Sequence, residues 1–118
     1  MYVNETLGTL TIASGQTTST KLSDILSAGQ LKTALGALEQ LSIRSPVALT
    51  GAVTVEVALE EPGTTFEPLN DPSGSDITLA AGEVKVIPYV TFKDIQLVSS
   101  LAEGAARSFV LVGKLRVA

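Results

Sequence analysis

Residues 52–60 alternate without a break. Val53, Val55, Val57 and Leu59 fall on one side, and Ala52, Thr54, Glu56, Ala58 and Glu60 on the other. Successive side chains of a strand point to opposite faces, so alternation over this length predicts a half-buried β-strand. The pattern returns near the other end of the chain. Across residues 107–117, Phe109, Leu111, Gly113, Leu115 and Val117 share one face, and Val110, Val112, Lys114 and Arg116 share the other.

Shorter segments of the same kind lie between turn signals. Residues 6–13 place Leu10 and Ile12 on one face, and Ser14-Gly15-Gln16 then turns the chain. Residues 17–22 are β-branched and polar, which suits a strand near a sheet edge. Residues 39–44 point Leu41 and Ile43 inward and stop before Pro46, which has no N–H for a ladder. Further short strands are expected over 65–69, 76–79, 84–89 and 92–99, the last with Ile95 and Leu97 on one face. Between them, Glu61-Pro62-Gly63, residues 70–75 and Ala81-Gly82-Glu83 read as turns.

Residues 23–38 break the pattern. Ser23 and Asp24 suit a helix cap, and Leu31, Ala34, Leu35 and Leu38 sit at helical spacing. One short helix is expected around 28–38, although Gly29 and Gly36 weaken it by about 1 kcal/mol each relative to alanine. Nothing supplies the long crossovers that parallel strands need. Residues 1–118 are therefore expected to form one all-β domain. Its architecture is an antiparallel, jelly-roll-like β-sandwich of about eight strands with one short helix in 23–38. Val53, Val55, Val57 and Leu59 are its expected core, and Phe66 is expected to fold back over one end.

Composition narrows the function. The chain has no cysteine and no histidine. Thiolate metal sites, disulfides and a Ser-His-Asp triad are thereby excluded, and with them the commonest general base. The eight basic residues are scattered and the net charge is −4, so there is no row of cations for nucleic-acid phosphates. No apolar run approaches the roughly 20 residues of a membrane span, and residues 1–5 lack the basic and apolar regions of a signal peptide.

Candidate chemistry is thin. Glu56, Glu60 and Glu61 suggest an acidic pair, but Glu56 and Glu60 stand roughly 13 Å apart along one strand face. Glycosidase carboxyls sit roughly 5–9.5 Å apart, so a solvated face is the better reading. Glu67, Asn70, Asp71, Ser73, Ser75 and Asp76 form an oxygen-rich loop in which a weak calcium site near Asp71 and Asp76 is chemically open. The EF-hand spacing is missing, and these residue types make turns without an ion. Tyr2, Phe66, Tyr89, Phe92 and Phe109 are too dispersed for a stacking platform and read mostly as core. The sequence thus offers no catalytic, cofactor-binding or metal-ligating set, and an enzyme is not expected. Ala52, Ala58, Val110 and Val112 are small or apolar on faces that should be wet, which leaves room for a covered surface.

The order of segments resembles that of small structural proteins of tailed bacteriophages. The pieces are ASGQTTST over 13–20, then Leu49-Thr50-Gly51 ahead of a strand, then Gly63-Thr64-Thr65-Phe66-Glu67-Pro68-Leu69. Ala80-Ala81-Gly82, the Phe92 to Ser99 strand and a small-residue loop before the last strand complete it. The likeness covers most of residues 9–112, and residues 23–38 depart from it by being longer and more helical. The resemblance implies a virion component without catalytic activity. The leading form is a capsid decoration (cement) protein bound to the major capsid protein, with a homo-oligomer open. The alternative is a tail or head-fibre module that binds host glycans, using Tyr89 or Phe66.

Overall fold

The computed structural model describes residues 1–27, 30, 35–60, 62–88 and 90–116. In chain order these form β1 (Tyr2–Ile12), α1 (Leu22–Ile25), β2 (Leu38–Arg44), β3 (Val53–Ala58), β4 (Glu67–Pro68), β5 (Thr78–Leu79), β6 (Val84–Ile87), β7 (Asp94–Ser99) and β8 (Arg107–Arg116). One antiparallel sheet runs β1-β8-β2-β6. We call it sheet A. In sheet B, β3 is central, with β4 and β5 end to end on one side and β7 on the other.

Residues 17–20 run along the free side of β7. Thr18 bridges Val98, Ser19 N–H donates to the Leu97 carbonyl, and Ser99 N–H donates to the Thr17 carbonyl. With this strap in the place of a strand, the two sheets have the strand order of a jelly roll.

The alternating residues make the core. Leu10, Ile12, Ile43, Val53, Val55, Ile87, Ile95, Leu97, Phe109 and Leu111 are fully buried between the sheets, and Leu41 nearly so. Each large apolar side chain removed from water contributes about 1.5–3 kcal/mol before the entropy of ordering it. Leu7 joins them because β1 bulges there. Thr6 pairs with Val112 and Gly8 with Leu111, so Leu7 is an extra residue that shifts the alternation and turns inward.

Several expectations need correction. Residues 17–22 are not a regular strand. The Ser19 hydroxyl accepts from Leu97 N–H at 2.9 Å, taking a place a backbone carbonyl would hold in a ladder. Leu22 then opens α1, whose first turn is closed by Asp24 accepting from Lys21 N–H at 3.0 Å. Of the helix expected over 28–38, residues 28, 29 and 31–34 lie outside the described residues, residues 35–37 are helical, and Leu38 already belongs to β2.

β3 keeps its alternation only as far as Val57, which is half-buried. Ala58 is buried and Leu59, expected in the core, is 71% exposed. β3 ends at Ala58, and the loop after it folds over the outer side of the sheet. Ala58 is covered and Leu59 is turned out to solvent.

Candidate functional site

Two buried carboxylates organise the ends of the sandwich, and neither stood out in the sequence. Asp94 opens β7 and is fully buried. Its ladder partner is Ala58, so it lies on the outward side of sheet B, beneath the loop that follows β3. One oxygen accepts from Ser23 N–H at 3.1 Å and from Ile95 N–H at 2.9 Å. The other accepts from Ser23 Oγ at 2.5 Å and from Gly63 N–H at 2.8 Å. The carboxylate thus joins α1, β7 and the 60–66 loop.

Gly63 fits there because it has no side chain. A Cβ at that position would run into the Phe66 ring and come within 2.9 Å of the Ala58 Cβ. Phe66 does fold back, as expected, and rests half-buried over Gly63. Glu60 completes the loop from outside. Its Oε1 accepts from Thr64 N–H, Thr64 Oγ1 and Thr65 N–H at 2.8, 3.0 and 2.7 Å. Those bonds, Thr65 N–H foremost, hold its carboxyl below the usual range. Glu56 is engaged separately, accepting from Gln96 Nε2 at 2.9 Å. The two glutamates therefore do not form a pair; each fixes its own neighbour. Glu61 lies outside the described residues.

Glu103 lies in the loop between β7 and β8 and is 1% exposed. Oε1 accepts from Thr50 N–H at 2.8 Å and Arg107 Nε at 2.9 Å. Oε2 accepts from Gly51 N–H at 3.0 Å and Ser99 Oγ at 2.7 Å. Its main chain ties in the β1 turn, since Glu103 N–H donates to the Gln16 carbonyl and Gly15 N–H donates to the Glu103 carbonyl. Burial alone would raise its pKa. The bonds from Ser99, Thr50, Gly51 and Arg107 outweigh that and bring it down to about 2. Gly51 is again a close approach, because a Cβ there would stand 2.7 Å from both the Leu101 nitrogen and Ser99 Oγ.

The oxygen-rich loop is closed on itself. Asp71 Oδ1 accepts from Ser73 N–H, Ser73 Oγ and Ser75 N–H at 2.9, 2.6 and 3.1 Å. Asn70 Nδ2 donates to the Gly74 carbonyl at 2.6 Å, and Gly74 takes a left-handed φ of 89°. This is turn chemistry, with Asp76 bridged to Asn70 through the backbone. Among the described residues, no group of three or more acidic side chains is placed to hold a metal ion.

The aromatics do not gather. Phe92 and Phe109 are buried, Tyr2 is 52% exposed with Lys114 Nζ 4.8 Å from its ring centroid, and Tyr89 lies outside the described residues.

The outer faces of the sheets differ. Sheet B presents Thr54, Glu56, Thr78, Gln96 and Val98. On sheet A, the registers put Val84 opposite Arg44, Val86 opposite Ser42, and Val110 and Val112 beside the same two β2 residues. These four valines share the outer face. Val84 and Val86 are 60% and 49% exposed, and Val110 and Val112 are half-buried. Of the small or apolar positions expected on wet faces, Val110 and Val112 join this patch and Ala52 is exposed. Ala58 does not belong with them, because the 60–66 loop covers it.

No family model matches the chain, and no curated protein matches its sequence. A solved structure matches it in fold. The crystal structure of SPBc2 prophage-derived protein YomS superposes with a TM-score of 0.58. The match covers 97% of this chain and 93% of that one at 7% identity, so the likeness is one of fold. The chain is an antiparallel β-sandwich with the strand order of a jelly roll, and its fold is similar to that of a protein of prophage origin. No helix among the described residues is long and apolar enough to cross a membrane.

Proposed function

We propose that this protein is a non-catalytic component of a phage virion, a decoration protein that binds the outside of the major capsid protein shell and reinforces it. The observation that carries this reading is the outer face of sheet A. Val84 and Val86 on β6 and Val110 and Val112 on β8 are apolar positions on one four-stranded surface, with Ser42 and Arg44 between the two pairs and Lys114 beyond them. Exposed apolar side chains interleaved with a few polar ones, arginine among them, are usual in a non-obligate protein docking surface. The fold shared with a prophage-derived protein supports the setting.

The mechanism is burial. Many copies, each covering a seam between neighbouring coat subunits, stabilise the assembled shell because they bind it and not the separated subunits. Both carboxylates accept their hydrogen bonds within the chain and serve to fix its loops. The test is electron microscopy of virions with and without the protein, with shell stability followed by heating. Extra density on the shell and a lower disruption temperature in its absence are expected. An unchanged capsid surface overturns the reading. Val84→Lys combined with Val86→Lys is expected to abolish shell binding while the domain stays folded.

A further inference from the structure

The edges of the two sheets are not treated alike. On sheet B, β4 and β5 are two residues each, β4 contains Pro68, and the far side of β7 is covered by the 17–20 strap. On sheet A, β6 is four residues long, carries Lys85 and is followed by Pro88. Short strands, prolines, lysines and covering segments are the devices that stop an edge from pairing with another chain. β1, the other edge of sheet A, is bulged at Leu7 and tied to the strap at Thr11, but among the described residues none of these devices protects its residues 2–6. It runs for 11 residues without proline or lysine, and Glu5 is its only charged side chain. Beyond its ladder with β8, the backbone bonds described for β1 are those between Thr11 and Thr20. Residues 2–6 are all exposed, including Tyr2 and Val3 at 52% and 42%.

We infer that the open edge of β1 pairs with the same edge of a second copy of this chain, the strands antiparallel about a twofold axis, so that sheet A runs on from one protomer into the next. A strand edge is self-complementary in this arrangement, because each outward N–H meets an outward carbonyl of the other copy. A register centred on Asn4 sets Val3 opposite Glu5 and Tyr2 opposite Thr6. The two Glu5 carboxylates then do not face each other directly, which would be destabilising. The joint leaves the valine face of sheet A free, and it stands independently of the capsid role.

Sedimentation velocity of the full chain at concentrations up to about 200 µM is the first test, since a short ladder belongs to the weak, transient class of interface. A dimer is expected, and Val3→Glu, which sets a second carboxylate opposite each Glu5, is expected to weaken it at least about tenfold, or about 1.4 kcal/mol. Circular dichroism and the melting temperature confirm that this variant folds. Val84→Lys, on the β6 edge, is expected to leave the dimer intact. The chain has no cysteine, so Asn4→Cys supplies a lone thiol. Oxidation should link it to its twin, because facing residues of antiparallel strands stand about 4.5–5.5 Å apart, within disulfide reach. A chain that stays monomeric at every concentration overturns the inference. So does a dimer indifferent to Val3→Glu, or one lost with Val84→Lys instead.

Discussion

Asp94 and Glu103 flank the same strand, β7, and each is buried under loops that would otherwise be loose. Each accepts four hydrogen bonds, but the donors differ. Glu103 has the Arg107 guanidinium, whose side chain keeps 18% of its exposure. Asp94 has only backbone N–H groups and one hydroxyl among the described residues. The Glu103 end therefore combines dipoles with a countercharge that still touches water. The Asp94 end depends on geometry alone, with three backbone donors that cannot move without moving α1, β7 and the loop together. Burying a charge is tolerable either way, provided every lone pair is engaged. The difference lies in how each end fails.

The largest effect is expected from Asp94→Asn. An amide must turn its NH2 toward Gly63 N–H or toward the N–H groups of Ser23 and Ile95, so donor meets donor wherever it points. A loss of about 3–5 kcal/mol in urea unfolding is expected. Glu103→Gln meets the same conflict, but Arg107 can swing into solvent, and a loss of about 2–3 kcal/mol is expected. If the two variants cost the same, the countercharge contributes nothing.

Glu103 also sets a pH dependence. Its folded pKa of about 2 lies below the ordinary 4.5, so its contribution is complete above 4.5 and is lost as pH falls toward about 2. The stability gap between the wild type and Glu103→Gln should therefore close across that window in acid unfolding. A constant gap would refute the assignment.

The glycines come next. A Cβ on Gly51 meets backbone and hydroxyl atoms that cannot retreat, and Gly51→Ala should cost about 2–3 kcal/mol by thermal melting. A Cβ on Gly63 meets the tip of the Phe66 ring, which can tilt, as well as Ala58. Gly63→Ala should cost less, about 1–2 kcal/mol. Glu60→Ala removes an exposed acceptor from the 60–66 loop and should lower the melting temperature least of all. If it ranks above Gly63→Ala, the loop is held from outside and not by Asp94.

The sandwich was legible because its strands are half-buried. Leu41 and Ile43, Ile95 and Leu97, and Phe109 and Leu111 alternate in the sequence and are buried in the structure. Alternation says nothing about where a strand stops, which is why Leu59 was misplaced while Val53 and Val55 were not. The strap at 17–20 has strand composition, yet the Ser19 hydroxyl replaces a ladder bond, and no pattern of apolar residues reports that.

The two carboxylates were hidden for another reason. Each acts through backbone N–H groups, which every residue has, so the partners leave no trace in side-chain identity. A faint signal did exist. Glu103 precedes Arg107 by four residues, and small residues and glycines cluster in the loops over both carboxylates. Thr50-Gly51 and Gly63-Thr64-Thr65 are small because a buried acid or a close-packed neighbour lies against them.

The pairing of Tyr2 with Arg116 puts both outer ends of the β1–β8 ladder at one corner of the molecule. Tension applied between those two residues would load the ladder one rung at a time, like a zipper, and give way at low force. Tension between Tyr2 and the Gly82 turn must instead pass across sheet A and slide whole strands past one another. A domain wired in this way resists being dragged along a surface far better than it resists being peeled open from that corner.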